Sequence, residues 1–264
     1  MSRIVPAAAL VLTVSSPVSG IEVSDYRIVD LTHAYNAQTI YWPTSPSRFE
    51  LTELAYGETP GGWFYSAYSL CTPEHGGTHF DAPVHFSASG APVHEVALQD
   101  VIAPAVTIDV SAQAAGDPNY RLTVDDVLDF EARHGEIEGG TIVLLRTGWS
   151  ERWPDTAAYL GDDTPGDASR LSFPGYGEDA ARLLVEHRGV AVLGIDTASI
   201  DYGQSQDFAV HVLAAASNVG ALENLTGLDQ LPSTGFTVFA LPMKIEGGSG
   251  APMRAVALVP RESR

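Results

Sequence analysis

The stretch Glu74-His75-Gly76-Gly77-Thr78-His79-Phe80-Asp81-Ala82-Pro83-Val84-His85 carries three histidines and one aspartate between His75 and His85. Two adjacent glycines and Pro83 argue against a continuous helix, so the stretch reads as extended backbone headed by a turn. Side chains alternate in extended backbone, which puts His79 and Asp81 on one side. Gly76 and Gly77 let the chain turn so that His75 approaches the same point. Imidazole and carboxylate together suit Zn²⁺ or Mn²⁺, and without a thiolate such a set leans toward catalysis rather than structure. The bland alternative is a group of histidines with unrelated roles. Four donor side chains interleaved with glycines count against it.

Outward from this segment, short runs rich in Val, Ile or aromatics recur at Arg27–Leu31, Trp63–Cys71, Pro104–Val110, Thr141–Arg146, Val190–Asp196, Phe236–Leu241 and Met253–Val259. Gly, Pro or Asp bounds each, as expected of strands. Thr123 opens a helix over Val124–His134, with Asp126 placed for a capping box and Gly135 as the stop. A second helix spans Glu178–Arg188 and ends at Gly189; a third, shorter one covers Phe208–Ala216. Strands outnumber helices and are not regularly interleaved with them. That pattern predicts an α/β fold, a mixed sheet or barrel-like β core with helices packed outside, and argues against a TIM barrel or a doubly wound sheet. No internal repeat or low-complexity linker divides residues 23–264, which read as a single domain.

Fourteen Lys and Arg against thirty-three Asp and Glu give a formal charge of −19. Such a surface repels phosphate backbones and anionic membranes, so neither nucleic acid nor a membrane is an expected partner. One cysteine, Cys71, excludes an intramolecular disulfide or a thiolate zinc cluster and reads as a small apolar residue ending a strand. Residues 1–22 run from Arg3 through an apolar stretch to small residues. This is the order of a signal peptide, with a plain N-terminal extension as the rival. Export predicts a periplasmic or secreted protein; an extension leaves it cytoplasmic.

A short loop rarely completes a coordination sphere alone. His211 in the third helix and Glu223 between Leu222 and Leu225 are the remaining candidates; a buried carboxylate needs a partner or a metal. Tyr41-Trp42-Pro43 and Trp63-Phe64-Tyr65 are aromatic clusters, and Trp42, Trp63 and Phe64 are candidate pocket residues against a core-packing alternative. Gly247–Gly250 lacks the ending of a phosphate loop and reads as a tight turn before the last strand. Asp196, Asp201 and Asp207 read as turn caps, Asp196 also as a residue able to face the site. No Gly-x-Ser-x-Gly elbow is present, which disfavours a serine hydrolase.

The run from His75 to His85 resembles the signature His-x-Gly-Thr-His-x-Asp-x-Pro-x-His of the cyclase family, which includes bacterial kynurenine formamidases and isatin hydrolases. The likeness extends to Asp30-Leu31-Thr32-His33, to Gly194-Ile195-Asp196-Thr197 with Ser199 and Asp201, and to Leu241-Pro242-Met243-Lys244-Ile245. Gly247–Pro252 and Arg254 belong to it as well. The resemblance implies that His75, His79 and Asp81 are metal ligands, that His85 is the catalytic acid/base, and that His211 and Glu223 complete a two-metal site. It also implies a homodimer. Isatin-hydrolysing members lack the carboxylate matching Glu223, so its presence tilts the reading toward the formamidase-like branch. The expected function is therefore a metal-dependent amidohydrolase acting on a small molecule, an N-formyl or related aryl amide, with a metal-activated water as nucleophile and Zn²⁺ (two per chain) or Mn²⁺ as cofactor. Opening or closing of a cyclic amide or lactone is the alternative chemistry. A non-catalytic metal-binding protein on the same fold is the alternative of another class; such a protein needs the ligands but not His85.

Overall fold

The computed structural model describes residues 22–261, so the segment read as a signal peptide lies outside the described residues except for Glu22. In chain order the strands are β1 (Tyr26–Asp30), β2 (Glu50–Glu58), β3 (Phe64–Cys71), β4 (His79–Asp81), β5 (Ile102–Asp109), β6 (Arg121–Leu122), β7 (Ile142–Arg146), β8 (Gly175–Tyr176), β9 (Val192–Ile195), β10 (Gly220–Glu223), β11 (Phe236–Pro242) and β12 (Gly250–Pro260). The helices are α1 (Leu98–Val101), α2 (Ser111–Gly116), α3 (Val124–His134), α4 (Thr156–Leu160), α5 (Glu178–Arg182) and α6 (Ala209–Ala216). All seven expected strand regions form strands. The main sheet runs β1-β12-β11-β5-β7-β9-β10-β4, and β4 also pairs with β12. That last pairing closes seven strands into a barrel, with β1 laid along the C-terminal part of β12. The β5-β7-β9-β10 run is parallel and the other ladders of the main sheet are antiparallel, so the barrel is mixed, as expected.

Strand β7 shows why the parallel run is continuously apolar. Ile142, Val143, Leu144 and Leu145 are all fully buried. Ile142 and Leu144 point into the barrel with Val192, Leu222 and Val238. Val143 and Leu145 point the other way, into a second core under α3, α5 and α6, where they meet Val127, Phe130, Leu184 and Val210. Both faces of the strand are covered, so no polar position interrupts it. Truncating Leu144 to Ala would cost roughly 2–5 kcal/mol.

Helix α3 has the expected bounds. The Thr123 hydroxyl accepts from the Asp126 amide, the Asp126 carboxylate accepts from the Thr123 amide, and Gly135 at φ +94° ends it. The expected helix over Glu178–Arg188 begins as α5 and widens into a π-helical stretch, Leu183–Arg188, before Gly189.

Strands β2 and β3 form a separate antiparallel hairpin. Among the described residues each pairs only with the other, and no side chain of either strand is buried. Leu51, Leu54, Tyr56, Tyr65 and Leu70 are exposed along it. Cys71 ends β3 and is exposed. Among the described residues, no helix is long and apolar enough to cross a membrane.

Candidate metal centre

Strand β4 lies between β10 and β12, with His79 opposite Glu223 on one side and Pro252 on the other. Its two partners bury it fully. His79, Asp81 and Glu223 are only 3%, 4% and 4% exposed, and His211 from α6 is 6% exposed. The turn ahead of β4 depends on glycine. Gly76 (φ +147°) and Gly77 (φ +59°) lie in backbone space that side chains rarely enter. A Cβ on Gly76 would fall 2.1 Å from the Tyr41 ring, and one on Gly77 would fall 2.6 Å from the Tyr35 ring. The Tyr35 hydroxyl donates to Thr78 O at 2.6 Å and lies 2.9 Å from Gly76 O, which pins the turn against the strand.

The five expected donors meet at one point. Asp81 Oδ1 lies 2.6 Å from His75 Nδ1 and 3.1 Å from His79 Nε2. Asp81 Oδ2 lies 3.2 Å from His211 Nε2, which is also 3.1 Å from Glu223 Oε1. Glu223 Oε2 reaches back to His79 Nε2 at 3.5 Å. The donors form two sets, His75–His79–Asp81 and Asp81–His211–Glu223, each with ligand atoms within 4.8 Å of one another and with Asp81 common to both. A carboxylate shared by two donor sets has one oxygen for each.

The far nitrogens explain why a cation fits here. His79 Nδ1 donates to Gly77 O, and His211 Nδ1 donates to Asp201 Oδ2 at 2.6 Å. The proton on each of those nitrogens is committed, so each Nε2 turns a lone pair toward buried carboxylates. Lone pairs facing carboxylate oxygens at 3.1–3.5 Å repel unless a positive charge lies between them. A proton can supply it: burial opposes the charged form of His79, but Asp81 and Glu223 outweigh burial and lift it to about 9. His211 is raised as well, burial being overcome by hydrogen bonds to Asp201, Asp81 and Glu223. A divalent ion supplies the same charge, and the buried N/O donor set fits one.

Asp201 was read from the sequence as a turn cap. It accepts from the backbone amides of Val210 and His211 at the start of α6, and the same carboxylate also orients the His211 ring. Asp196 stays out of the site: it accepts from the Thr147 amide and hydroxyl and from the Gly148 amide, tying β9 to the end of β7. Burial raises it to about 6 against those three donors.

His85 follows on the short 3₁₀ turn Pro83–His85, its ring stacked on His75 with centroids 3.8 Å apart and planes at 17°. Burial lowers its pKa to about 4, the charge of Asp81 opposing and its three histidine neighbours adding to the drop. At neutral pH His85 is therefore an unprotonated base held over the donors.

These groups floor a cavity of about 410 Å³, within the usual range for small-molecule sites. Trp42, Phe86 and Phe208 wall it, with ring centroids 6.1 Å apart for Trp42–Phe208 and 5.4 Å for Phe86–Phe208. Phe86 and Phe208 are not among the pocket residues expected from the sequence. Adjacency to His85 was the available signal for Phe86. Phe208 is aimed by a left-handed backbone (φ +50°) at the entrance of α6, which no residue pattern announces. Of the expected pocket aromatics, the structure brings Trp42 to the cavity and leaves Trp63 and Phe64 out of it. Those two are 62% and 60% exposed on the hairpin, Trp63 folded over Gly61 at its tip. Among the described residues they line neither this cavity nor the buried cores.

The putative-cyclase family profile matches residues 29–202. An isatin hydrolase from Roseibium aggregatum is 38% identical over 208 residues, which are 76% of this chain and 77% of that protein. A kynurenine formamidase from Sphingopyxis alaskensis is 30% identical over 233 residues, 87% of this chain and 97% of its own. The crystal structure of an isatin hydrolase bound to the product analogue thioisatinate superposes with a TM-score of 0.83 at 33% identity, covering 90% of this chain and 94% of that one.

Proposed function

This chain belongs to the cyclase family of metal-dependent hydrolases, and on that premise we propose that it hydrolyses an N-formyl or related aryl amide. The observation that carries the reading is the union of two donor sets sharing Asp81 with the His85 ring stacked on His75, all beneath an aromatic wall. His75, His79, Asp81, His211 and Glu223 would hold Zn²⁺, two per chain, or Mn²⁺. A cation there supplies the charge that acidifies a water molecule and polarises the amide carbonyl. His85 takes the proton from the attacking water and returns it to the departing nitrogen, since an amide anion is a very poor leaving group. Trp42, Phe86 and Phe208 offer faces for an aryl ring.

Opening of a cyclic aryl amide is a second reading, supported by the 38% identity to an isatin hydrolase. Glu223 favours the first, because with Asp81 and His211 it makes up the second donor set, which would hold a second ion. The test is turnover by protein loaded with Zn²⁺ or Mn²⁺ on N-formylkynurenine, isatin and simple lactones, with metal content read by plasma emission. Chelator-sensitive cleavage of the N-formyl substrate is expected. Turnover of isatin alone would select the second reading. Metal without turnover of any of the three would leave a metal-binding protein.

A homodimer is part of the proposal, and the hairpin supports it. A lone two-stranded hairpin is marginal in water, and this one exposes Leu51, Leu54, Tyr56, Trp63 and Phe64. Light scattering on the eluted protein reads the mass. Export through residues 1–22 is likewise proposed, on their charged, apolar and small-residue order; mass spectrometry of the native N-terminus tests it.

A further inference from the structure

The Gly247–Gly250 turn, which the chemistry above does not use, places Ser249 against two residues of the metal-binding segment. Its hydroxyl oxygen lies 2.6 Å from Glu74 Oε2 and 2.9 Å from His75 Nε2, and its backbone N–H donates to the same Glu74 oxygen at 3.0 Å. We propose that Glu74 and Ser249 fix the proton of His75 on Nε2, so that His75 meets the metal through Nδ1. The proposal rests on the metal-centre reading above.

Counting protons fixes the direction of the relay. A carboxylate accepts only, and a serine hydroxyl has one hydrogen. At 2.6 Å that hydrogen goes to Glu74. Ser249 Oγ then faces Nε2 with lone pairs, so Nε2 must carry a hydrogen. A neutral imidazole has one N–H, which leaves the Nδ1 lone pair on the side of Asp81 Oδ1, 2.6 Å away. His79 and His211 use the opposite arrangement, committing Nδ1 as donor and turning Nε2 inward. Each ring thus has a partner on its outer nitrogen, and His75 alone of the three is reversed.

The backbone around Ser249 is built for this contact. Ala82 N–H donates to Ser249 O at 2.9 Å, and Gly250 is in register with Asp81, so the β4–β12 ladder sets where the hydroxyl sits. A Cβ on Gly248 would fall 2.8 Å from Glu74 Oε1, and one on Gly250 would fall 2.6 Å from His75 Cε1. The need for glycine on both sides of Ser249 is therefore steric: a side chain at either position would push away one end of the relay. Glu74 and Ser249 are positioning residues that act through His75.

The experiment measures Zn²⁺ affinity by chelator competition and the protonation of the ligating rings by ¹⁵N-histidine spectra of the zinc-loaded protein. Wild type should show one ligating ring protonated on Nε2 and metal-bound through Nδ1, and two of the opposite kind. Ser249→Ala and Glu74→Ala should each weaken Zn²⁺ binding about 10- to 100-fold. The double variant should be within about threefold of the weaker single, because both break one chain of hydrogen bonds. Glu74→Gln, which keeps an acceptor oxygen for Ser249, should lose less than Glu74→Ala. Single variants within about twofold of wild type, or wild-type spectra with every ligating ring protonated on Nδ1, would overturn the proposal. If Ser249→Ala melts early without metal, the wild-type spectrum decides alone. Wild-type protein that binds no Zn²⁺ would instead remove the metal-centre reading itself.

Discussion

Strand β4 and the β2–β3 hairpin are near neighbours in the chain, since β3 ends at Cys71 and β4 begins at His79, yet they invert the usual rule of what goes inside. In β4 the carboxylate of Asp81 is 4% exposed; on the hairpin Trp63 is 62% exposed. Ladder partners account for the difference better than residue type. Strand β4 is hydrogen-bonded on both edges, with Phe80 in the barrel core on one face and His79 and Asp81 packed against Glu223 and His211 of α6 on the other, so side chains on both faces are buried. Among the described residues the hairpin strands pair only with each other. A buried charge and an exposed aromatic surface are both incomplete arrangements, the first wanting a counter-charge and the second a covering surface. A small cation would complete the first region, whereas the second offers a surface that another face could cover.

Removing the base from the buried region should have the largest effect. His85→Ala is expected to lower kcat by about 10²- to 10⁴-fold while metal content stays at the wild-type level. Its ring stacks on His75 without joining either donor set. Kinetics and metal analysis on one preparation check both halves. A variant that loses metal together with activity would make His85 a ligand and erase the distinction between the donors and the base above them.

Asp201→Ala comes next. It frees His211 Nδ1 and removes the acceptor for two amides of α6. Metal affinity should fall about 10- to 100-fold. Chelator competition reads this directly, and unchanged affinity would show that α6 holds the ring without help.

The two regions also differ in how far their sequences could be read. The donors at His75, His79 and Asp81 were legible because turn glycines and period-two alternation act within a few residues. Glu223 was legible as an anomaly, a carboxylate between leucines. Strands β4 and β10 were not identified as strands, being three and four residues long and defined by partners far along the chain. Barrel closure depends on β12 running past β11 to reach β4, a long-range fact with no local signal. Trp63 and Phe64 misled because strand propensity specifies pleated backbone and leaves open whether anything packs on the pleat. The role of Asp201 needed the fold, since ten positions separate it from the ring it orients.

A third test asks how the packing behind the metal segment responds to acid. The His33 amide donates to the Thr78 hydroxyl, and its ring stacks on Trp153 with centroids 4.2 Å apart. Burial lowers its pKa from 6.5 to about 4. Between those values the folded state binds fewer protons than the unfolded one. The contribution of His33 is therefore complete above pH 6.5 and is lost as pH falls toward 4. Allowing for partial exposure, about 1–2 kcal/mol should disappear between pH 7 and 4.5. Denaturant unfolding of metal-free wild type and His33→Phe, which keeps a ring for Trp153, gives the two slopes. Equal slopes would show that His33 does not carry the acid sensitivity.

The smallest expected effect sharpens the comparison most, because it asks the same question of an aromatic in each region. Trp42 lines the cavity and touches Phe173 and Phe208, whereas Trp63 lies on the hairpin with its face to solvent. Stacking beyond area burial is worth roughly 0.5–1.5 kcal/mol, so Trp42→Leu should reduce the aryl-over-alkyl preference in kcat/KM by about threefold to tenfold. Trp63→Leu should leave that ratio alone and change the folding stability of the isolated chain by no more than about 0.5 kcal/mol, as at an exposed position. If the chain dimerises through the hairpin, as proposed, the consequence should appear as a mass that falls on dilution at concentrations where wild type holds. If Trp63→Leu instead lowered the aryl preference, the hairpin would have to reach an active site, and because it lies outside this chain's own cavity, that site would belong to the second subunit. The two regions would then be parts of one site assembled across the dimer. A ratio and a mass both unchanged would leave the aromatic surface of the hairpin without a role in either activity or assembly.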